Sequence, residues 1–582
     1  MNKRRHLITS GLPYSNGRLH VGHIGGAYLP ADTYVRYLRA RGEEVRFVCG
    51  SDDNGVASLI SARKEGRPVE ELTAHYNRRQ AADFEGLGIR FDIFGGTHQR
   101  EFVEQHERFS QEFFLKIHEK GYFTKRTSSQ LYDVEAKQFL PDRYVKGRCY
   151  HDGADGTPCQ HPEAFGDQCE SCGNAIDPTQ LGDPVSTITG TRPELRDTTH
   201  WYLRLQDFEE PLRKWLESHR APQEGPAWRE TVLNFILGQI KQGLPERAMT
   251  RDLDWGIPVP LDDPDAEGKV LYVWFDAPIG YVSFTAELCR RLGESTEDYS
   301  RWWKDPDCKI VHFIGEDNTV FHALIWPAML MAEGSFQLPS NVVANAFVNI
   351  KFPGQEEQKI SKSRGTAIWV EEYLKQFAPD PLRYYLTTIA PESQRTTFDL
   401  KDFAARNNGE LVNALGNFIH RSLTFTIKNF EGRVPEIGSR DEVDLAHLAE
   451  IEERHAAVTK RLEAFQFRTA IAEIMALARA ANGYLDTKAP WKQRKTDLAA
   501  CGSTMNICLQ TVRALATLMA PFMPFSATRV AEMLAISEEL SWESALDDLP
   551  AGQALGEPEI LFEKLDLDLL FPDSATEETG GD

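Results

Sequence analysis

Two short apolar runs separated by a helix-like stretch confine the start of this chain to one kind of fold. Leu7-Ile8 reads as a strand, Ala27 to Arg39 as a helix, and Val45-Arg46-Phe47-Val48-Cys49 as a second strand ending in Gly50-Ser51-Asp52-Asp53. Strand, helix and strand in that order make a parallel pair, because a tight hairpin can join only antiparallel strands. The acidic pair then falls at the carboxyl end of the second strand, where open α/β sheets receive their ligands. Between the first strand and the helix lies Gly11-Leu12-Pro13-Tyr14-Ser15-Asn16-Gly17-Arg18-Leu19-His20-Val21-Gly22-His23. It sets two imidazoles and small glycines where a strand hands over to a helix, a place suited to a nucleotide.

The rest of the chain divides by changes of pattern. Residues 1–120 form the first half of the parallel sheet. From Gly121 the composition shifts to Gly, Cys, Asp and Pro, through Cys172 and on to Pro193, so 121–235 is expected to be a small insert pinned by a metal. Strand-like runs return at Val270 to Phe275 and Lys309 to Gly315, making 236–340 the second half of the sheet. A linking region, 341–400, carries Lys359-Ile360-Ser361-Lys362-Ser363. Helical periodicity governs 401–570, with Leu411, Leu415, Phe418 and Phe425 on one face and Phe467, Ile471, Ile474 and Leu477 on another. Residues 571–582 are rich in Glu, Asp, Gly, Ser and Thr and are expected to be disordered. The fold class is therefore α/β: a Rossmann-like parallel sheet split by a small insert, then an α-helical bundle.

Composition narrows the function. At 582 residues, 41% hydrophobic and 26% charged, the chain is long enough for several domains and reads as globular. No apolar run reaches the length of a membrane span, and Met1-Asn2-Lys3-Arg4-Arg5 leads straight into the first strand, so a cytoplasmic location is expected. A net charge of −22 argues against a protein that coats DNA or RNA non-specifically, since such binding relies on a basic surface to release counterions. It leaves room for one structured RNA met by a local basic track.

Several residues carry chemistry of their own. His20 and His23 are three apart and could share a helical face, but the Glu of a zinc hydrolase HExxH pattern is missing. Lys359 and Lys362, with the hydroxyls of Ser361 and Ser363, suit a polyphosphate that develops charge during transfer. Four of the nine cysteines crowd between Cys149 and Cys172. Cys169-Glu170-Ser171-Cys172 is a metal-binding knuckle, whereas nine residues separate Cys149 from Cys159, so His151 or His161 stands as an alternative to Cys149. Four thiolates would close a structural site with no open position for catalysis.

The two widely separated motifs resemble the ATP motifs of class I aminoacyl-tRNA synthetases, and the residues around them resemble the methionyl-tRNA synthetase family, a likeness running from Leu7 to about residue 570. The resemblance implies that His20, Gly22, His23, Ser361, Lys362 and Ser363 bind ATP with its Mg2+. It gives His20, His23, Lys359 and Lys362 the catalytic part, Lys362 the largest share. It makes Asp52 the partner of the substrate ammonium. Leu12, Tyr14, Trp274, Ala277, Pro278, Tyr281, His322 and Trp326 become the walls of a methionine pocket, in which aromatic rings suit a polarizable thioether. It assigns one structural Zn2+ to Cys149, Cys159, Cys169 and Cys172. Asn417, Arg421 and Trp491 fall at the anticodon of tRNA(Met); from its own surroundings, Trp491 after Pro490 reads as a staple between helices. Asn54 and Asn318 depart from the family pattern and bear on the hydrogen bonding around the adenylate.

The implied reaction is activation of methionine to methionyl-adenylate, followed by transfer to the terminal adenosine of the tRNA. A synthetase for a branched aliphatic amino acid would carry a much larger editing insert than Gly121 to Trp228. A paralogue that only binds tRNA would have no need of both intact motifs. The chain ends soon after Phe562-Glu563-Lys564-Leu565-Asp566, before the OB-fold module of dimeric relatives, so a monomer is expected.

Overall fold

A computed structural model describes residues 4–140, 144–152, 157–166, 169, 171–172, 176–360 and 366–566. Ser361, Lys362, Ser363 and the tail 571–582 lie outside the described residues. In chain order the principal strands are β1 (Arg5–Ser10), β2 (Glu44–Ser51), β3 (Ile93–Gly96), β4 (Phe123–Asp133), β5 (Glu194–Leu203), β6 (Cys308–Gly315) and β7 (Asn341–Asn345). Five of them form a parallel sheet in the order β7-β6-β1-β2-β3. The chain builds outward from β1 on one side, leaves for the insert, and returns on the other side. The strand order therefore reverses at β1, which opens a crevice at the carboxyl ends of its neighbours.

Register explains why the strands read as unbroken apolar runs. Ile8 lies between Phe47 and Val311, and Leu7 between Arg46 and Ile310. Side chains alternate between the two faces of a strand, and both faces here are covered. Ile8, Phe47, Val311 and Phe313 join one core that continues into the carboxyl-terminal helices through Leu411, Leu415, Phe418, Phe467, Ile471, Ile474 and Leu477. Leu7, Val48, Ile310 and Ile314 join a second core with helices of the insert and of the second half-sheet. The helical faces expected from periodicity are thus the ones buried, with Phe425 at the edge.

One expected strand is a helix. Only Val270–Leu271 is extended, pairing antiparallel with Thr250–Arg251 outside the parallel sheet. The residues that follow belong to a helix, Val273–Arg291, which is buried on nearly every side. It is α2, and α1 is the helix Leu29–Ala40 that follows β1. A helix apolar all round shows no amphipathic period, so its sequence cannot be told from a buried strand. Pro278 sits inside α2 and has no N–H to offer the carbonyl of Trp274, four residues back.

The insert is a long ribbon with a small sheet at its tip. β4 and β5 pair antiparallel from Phe123 opposite Leu203 to Tyr132 opposite Glu194. Beyond them, Val145–Arg148 lies between Ala164–Phe165 and Gly182–Ser186 around a satellite core of Leu131, Leu140, Tyr144, Val145, Cys149 and Cys169. Among the described residues no helix is long and apolar enough to cross a membrane.

The large core is pinned by one buried cation. Arg383, on α3 (Pro379–Thr388), has no exposed surface. It donates to Asp32 Oδ2 at 2.7 Å, and to the carbonyls of Phe522, Leu87 and Pro521 at 2.8, 3.1 and 3.1 Å. Arg36 and Arg383 hold the Asp32 carboxyl below the usual carboxylate range against the opposing effect of burial, which lowers the pKa of Arg383 itself. Removing one member of such a pair costs about 3–5 kcal/mol, because a buried charge is left uncompensated. Arg383→Leu is therefore expected to lower the urea midpoint by that much stability, and an unchanged midpoint would show that the pair does not fasten the helical region to the sheet.

Candidate functional site

The crevice at the carboxyl ends of β1, β2, β6 and β7 holds a cavity of about 420 Å³. Gly11 to Tyr14 enter it from β1, Asp52 from β2, Gly315, Asp317 and Asn318 from β6, and Ala346 to Val348 from β7. α2 contributes Trp274, Ala277, Pro278 and Tyr281, and the turn after β6 contributes Phe321 and His322. Leu12, Tyr14, His20, Gly22, His23 and Lys359 also line it, so nearly all sequence-indicated pocket residues come together. Trp326 is the exception. It is fully buried, edge-on to Trp303 at 6.1 Å and stacked with Phe113 at 5.8 Å; the cavity takes its residues from the preceding turn, and Trp326 begins the helix after it.

One carboxylate stands out chemically. The backbone of Asp52 is fixed by bonds from its N–H to Pro13 O at 2.9 Å and from the Ser15 N–H to its own carbonyl at 3.0 Å. Its side chain is buried, and Oδ1 finds no hydrogen-bond partner among the described residues. Burial, and then the nearby Asp276 and Asp53, raise the Asp52 pKa well above the ordinary carboxylate range. The neighbouring Asp53 is satisfied by Ser51 Oγ, the His98 N–H and Gln99 Nε2, which gives it a structural part. Asn54 lies behind the cavity, donating to Asp276 Oδ2 at 2.7 Å and paired with His98 at 2.9 Å.

The opposite wall is neutral and aromatic. Trp274 Nε1 donates to the Tyr14 hydroxyl at 3.0 Å. His322 Nδ1 faces the Asn318 carbonyl at 3.2 Å, which can only accept, so the proton sits on Nδ1 and Nε2 accepts from the Tyr281 hydroxyl at 2.9 Å. Burial pushes His322 down to about 4, leaving it uncharged at neutral pH.

The two phosphate-type motifs are physically joined. His20 and His23 stack at 3.6 Å, and the His20 N–H donates to His23 Nδ1 at 3.2 Å, closing the start of the helix. A π-helical turn, Ile24–Tyr28, follows, and such turns cluster at functional sites. Val21 N–H donates to Ile368 O and Val370 N–H to Leu19 O, so the chain just after the lysine motif pairs with the histidine motif. A Cβ at Gly22 would come within 3.0 Å of Ile360 Cδ1 and 3.1 Å of the His20 ring, which is why glycine stands there. Lys359 is exposed on the strand pairing with Asn349.

Sequence reading missed Gln80, which donates to Tyr14 O and Gly17 O at 2.9 and 3.0 Å from a helix with no motif of its own. It also missed Asp317, Phe321 and Phe347, although the first two adjoin residues it named.

In the insert, the Sγ atoms of Cys149, Cys159, Cys169 and Cys172 all lie within 4.8 Å of one another. The nine-residue gap is closed by a hairpin: Cys149 N–H donates to His161 O at 2.8 Å and Cys159 N–H to His151 O at 2.9 Å. Cys149 thus belongs to the cluster, and both histidines hold the hairpin by their backbones. Separations of 3.8 Å for Cys149–Cys172 and 3.7 Å for Cys159–Cys169 match the edge, about 3.8 Å, of a tetrahedron with metal–sulfur bonds of about 2.3 Å. The cluster could hold a metal ion.

At the far end of the helical region, Arg421 on α4 (Asn417–Asn429) lies 5.7 Å from the Trp491 ring and bonds Asp486 at 3.1 Å. Trp491 is 40% exposed. It stands on a short helix, α6 (Pro490–Thr496), joined to α5 (Phe467–Lys488) by Ala489 at φ 43°. Asn417 is exposed at the start of α4.

Residues 6–423 match the family described as tRNA synthetases class I (M), and residues 434–569 match the anticodon binding domain of methionyl tRNA ligase. The chain belongs to the class I aminoacyl-tRNA synthetases. It is 46% identical over 570 residues to a methionine–tRNA ligase of Bacteroides fragilis, covering 97% of this chain and 79% of that one. A methionine–tRNA ligase of Pyrococcus abyssi is 44% identical over 572 residues, covering 96% and 76%. A structure of Mycobacterium tuberculosis methionyl-tRNA synthetase in complex with methionyl-adenylate superposes with a TM-score of 0.75 at 27% identity, covering 96% of this chain and 99% of that one. Within the class, the chain is a member of the methionine–tRNA ligase family.

Metal analysis of the purified protein is expected to find one ion per chain. Cys172→Ser should release it and speed proteolysis within residues 145–186, since the satellite core is too small to hold its fold alone. Full retention of the ion in that variant would remove Cys172 from the ligand set.

Proposed function

We propose that the protein joins methionine to ATP as methionyl-adenylate, releasing pyrophosphate, and passes the methionyl group to the 3′-terminal adenosine of tRNA(Met). One observation carries this reading: a buried Asp52 carboxylate, its Oδ1 without a hydrogen-bond partner among the described residues, faces an aromatic wall in a cavity that the histidine motif and Lys359 also line. An α-amino acid brings one ammonium, and Asp52 supplies its counter-charge. Leu12, Tyr14, Trp274, Ala277, Pro278, Tyr281 and His322 enclose the thioether. Trp326 packs in the core against Phe113 and Trp303.

ATP, with its Mg2+, occupies the half of the cavity lined by His20, Gly22 and His23, where imidazole and backbone N–H groups meet phosphate oxygens. Lys359, with Lys362, Ser361 and Ser363 of the same motif, then neutralises charge that grows on the β and γ phosphates as the methionine carboxylate attacks the α phosphorus. Residues 1–120 and 236–340 form the catalytic domain, 121–235 the insert, 341–400 the link carrying the lysine motif, and 401–570 the anticodon domain. Zn2+ fits the four cysteines of the insert, where it would supply folding energy and take no part in the chemistry. Asn417, Arg421 and Trp491 read the anticodon, the indole by stacking on an unpaired base.

Amino-acid-dependent pyrophosphate exchange tests the reading. Exchange is expected with methionine and far less with leucine, isoleucine or valine; preference for an aliphatic amino acid would overturn the specificity.

The raised Asp52 titration sets the sign of a pH effect. The free protein holds a proton on Asp52 above the ordinary carboxylate range, and the ammonium requires the ionised form. Methionine affinity is therefore expected to weaken as pH falls through that raised range, and Asp52→Asn to bind methionine poorly with the dependence gone. Titration by tryptophan fluorescence checks this, and a flat profile in the wild type counts against Asp52.

Trp491→Ala is expected to raise the KM for tRNA and leave pyrophosphate exchange intact, because base stacking is worth roughly 1–3 kcal/mol and Trp491 does not line the cavity. Unchanged aminoacylation by the folded variant would return Trp491 to a packing role.

A further inference from the structure

Arg229 ties together parts of the molecule that are remote in sequence. It stands where the chain returns from the insert, immediately before the helix Glu230–Gln242. Its Nη1 donates to Ala344 O and to Asn345 Oδ1, both at 2.6 Å, and its Nη2 to Phe465 O at 3.2 Å. Loss of water around the guanidinium pulls its pKa down to about 10, and Glu392 is the acid that opposes this. Glu392 in turn accepts from the Arg468 N–H at 2.9 Å, at the start of α5.

The contact that matters is the next one. Asn345, the last residue of β7, is buried and donates its Nδ2 to Gly26 O at 2.6 Å. Gly26 belongs to the π-helical turn behind His23, and both Gly26 and Ala346, the neighbour of Asn345, line the cavity. The guanidinium therefore fixes the orientation of one amide, and that amide fixes the turn. A buried cation is an expensive connector, since an apolar side chain of similar volume often packs as stably. What the planar fork adds is direction: it can hold Asn345 with its oxygen toward Arg229 and its nitrogen toward Gly26.

We propose that Arg229 is a positioning residue for the nucleotide half of the cavity, acting through Asn345 on the turn behind His23. This rests on the reading above that ATP occupies that half. Displacing that surface withdraws groups that would hold ATP, so nucleotide binding weakens, and misalignment of the bound reactants adds to the loss.

Arg229→Gln, Arg229→Lys and Asn345→Asp test it, with KM values for ATP and methionine from pyrophosphate exchange normalised to active sites, and thermal midpoints alongside. The KM for ATP is expected to rise about tenfold in Arg229→Gln and Asn345→Asp, and less in Arg229→Lys, with the KM for methionine near the wild-type value. Asn345→Asp keeps an acceptor for Arg229 but sets a carboxylate oxygen against Gly26 O, so it isolates positioning from the bonds that hold the insert. A midpoint loss with unchanged KM for ATP overturns the proposal and leaves Arg229 a purely structural strut. An equal rise in both KM values overturns it as well. Absence of methionine-dependent exchange in the wild type defeats the reading of the site itself, and the proposal with it.

Discussion

A parallel sheet whose strand order turns back at its central strand cannot close its own carboxyl end. β1 has β6 on one side and β2 on the other, and the chains leaving these strands diverge toward opposite faces. The crevice between them must be walled by whatever follows each strand, so the loops of this protein are constrained by the sheet before any chemistry is considered. The two cores then decide how firmly those loops are held. On one face the sheet shares a core with the carboxyl-terminal helices; on the other it packs α2 and the helices around the insert. Arg383 locks the first arrangement, donating to Asp32 and to carbonyls of the loop before the helix Pro524–Met533.

The electrostatics of the cavity follow from the same enclosure. Burial suppresses charge on every titratable group whose charge is not matched: His322 and His312 are driven neutral and Asp52 is driven toward its protonated form. A buried carboxylate of this kind favours a cationic ligand, whose charge offsets the cost of leaving it ionised. Behind the cavity, Asp276 Oδ2 accepts from Asn54 Nδ2 at 2.7 Å and lies 3.3 Å from His106 Nε2.

Much of this was legible in the sequence because the signals are local. The turn from β1 into the helix, the acidic end of β2 and the cysteine knuckle each need only a few consecutive residues, and the helical faces of the last third repeat at a clear period. What escaped was set by tertiary context. The run from Val270 to Phe275 is apolar because α2 is buried on nearly every side, so strand and helix share one pattern. Trp326 looks like a pocket wall by its neighbours, yet the helix phase turns it into the core. The nine-residue spacing of Cys149 and Cys159 gave no hint of the hairpin that brings their sulfurs together, since its bonds are made by backbone. Gln80 reaches the cavity from a helix no motif marks.

The joint at Ala489 has a consequence for how information about a bound RNA could be kept sharp. An alanine at φ 43° bears a Cβ in a region that glycine enters freely, at a cost of roughly 1–2 kcal/mol. The same Cβ removes most of the other conformations a glycine elbow would explore. The corner between α5 and α6 therefore trades stability for stiffness, and backbone torsion aims the indole beyond it.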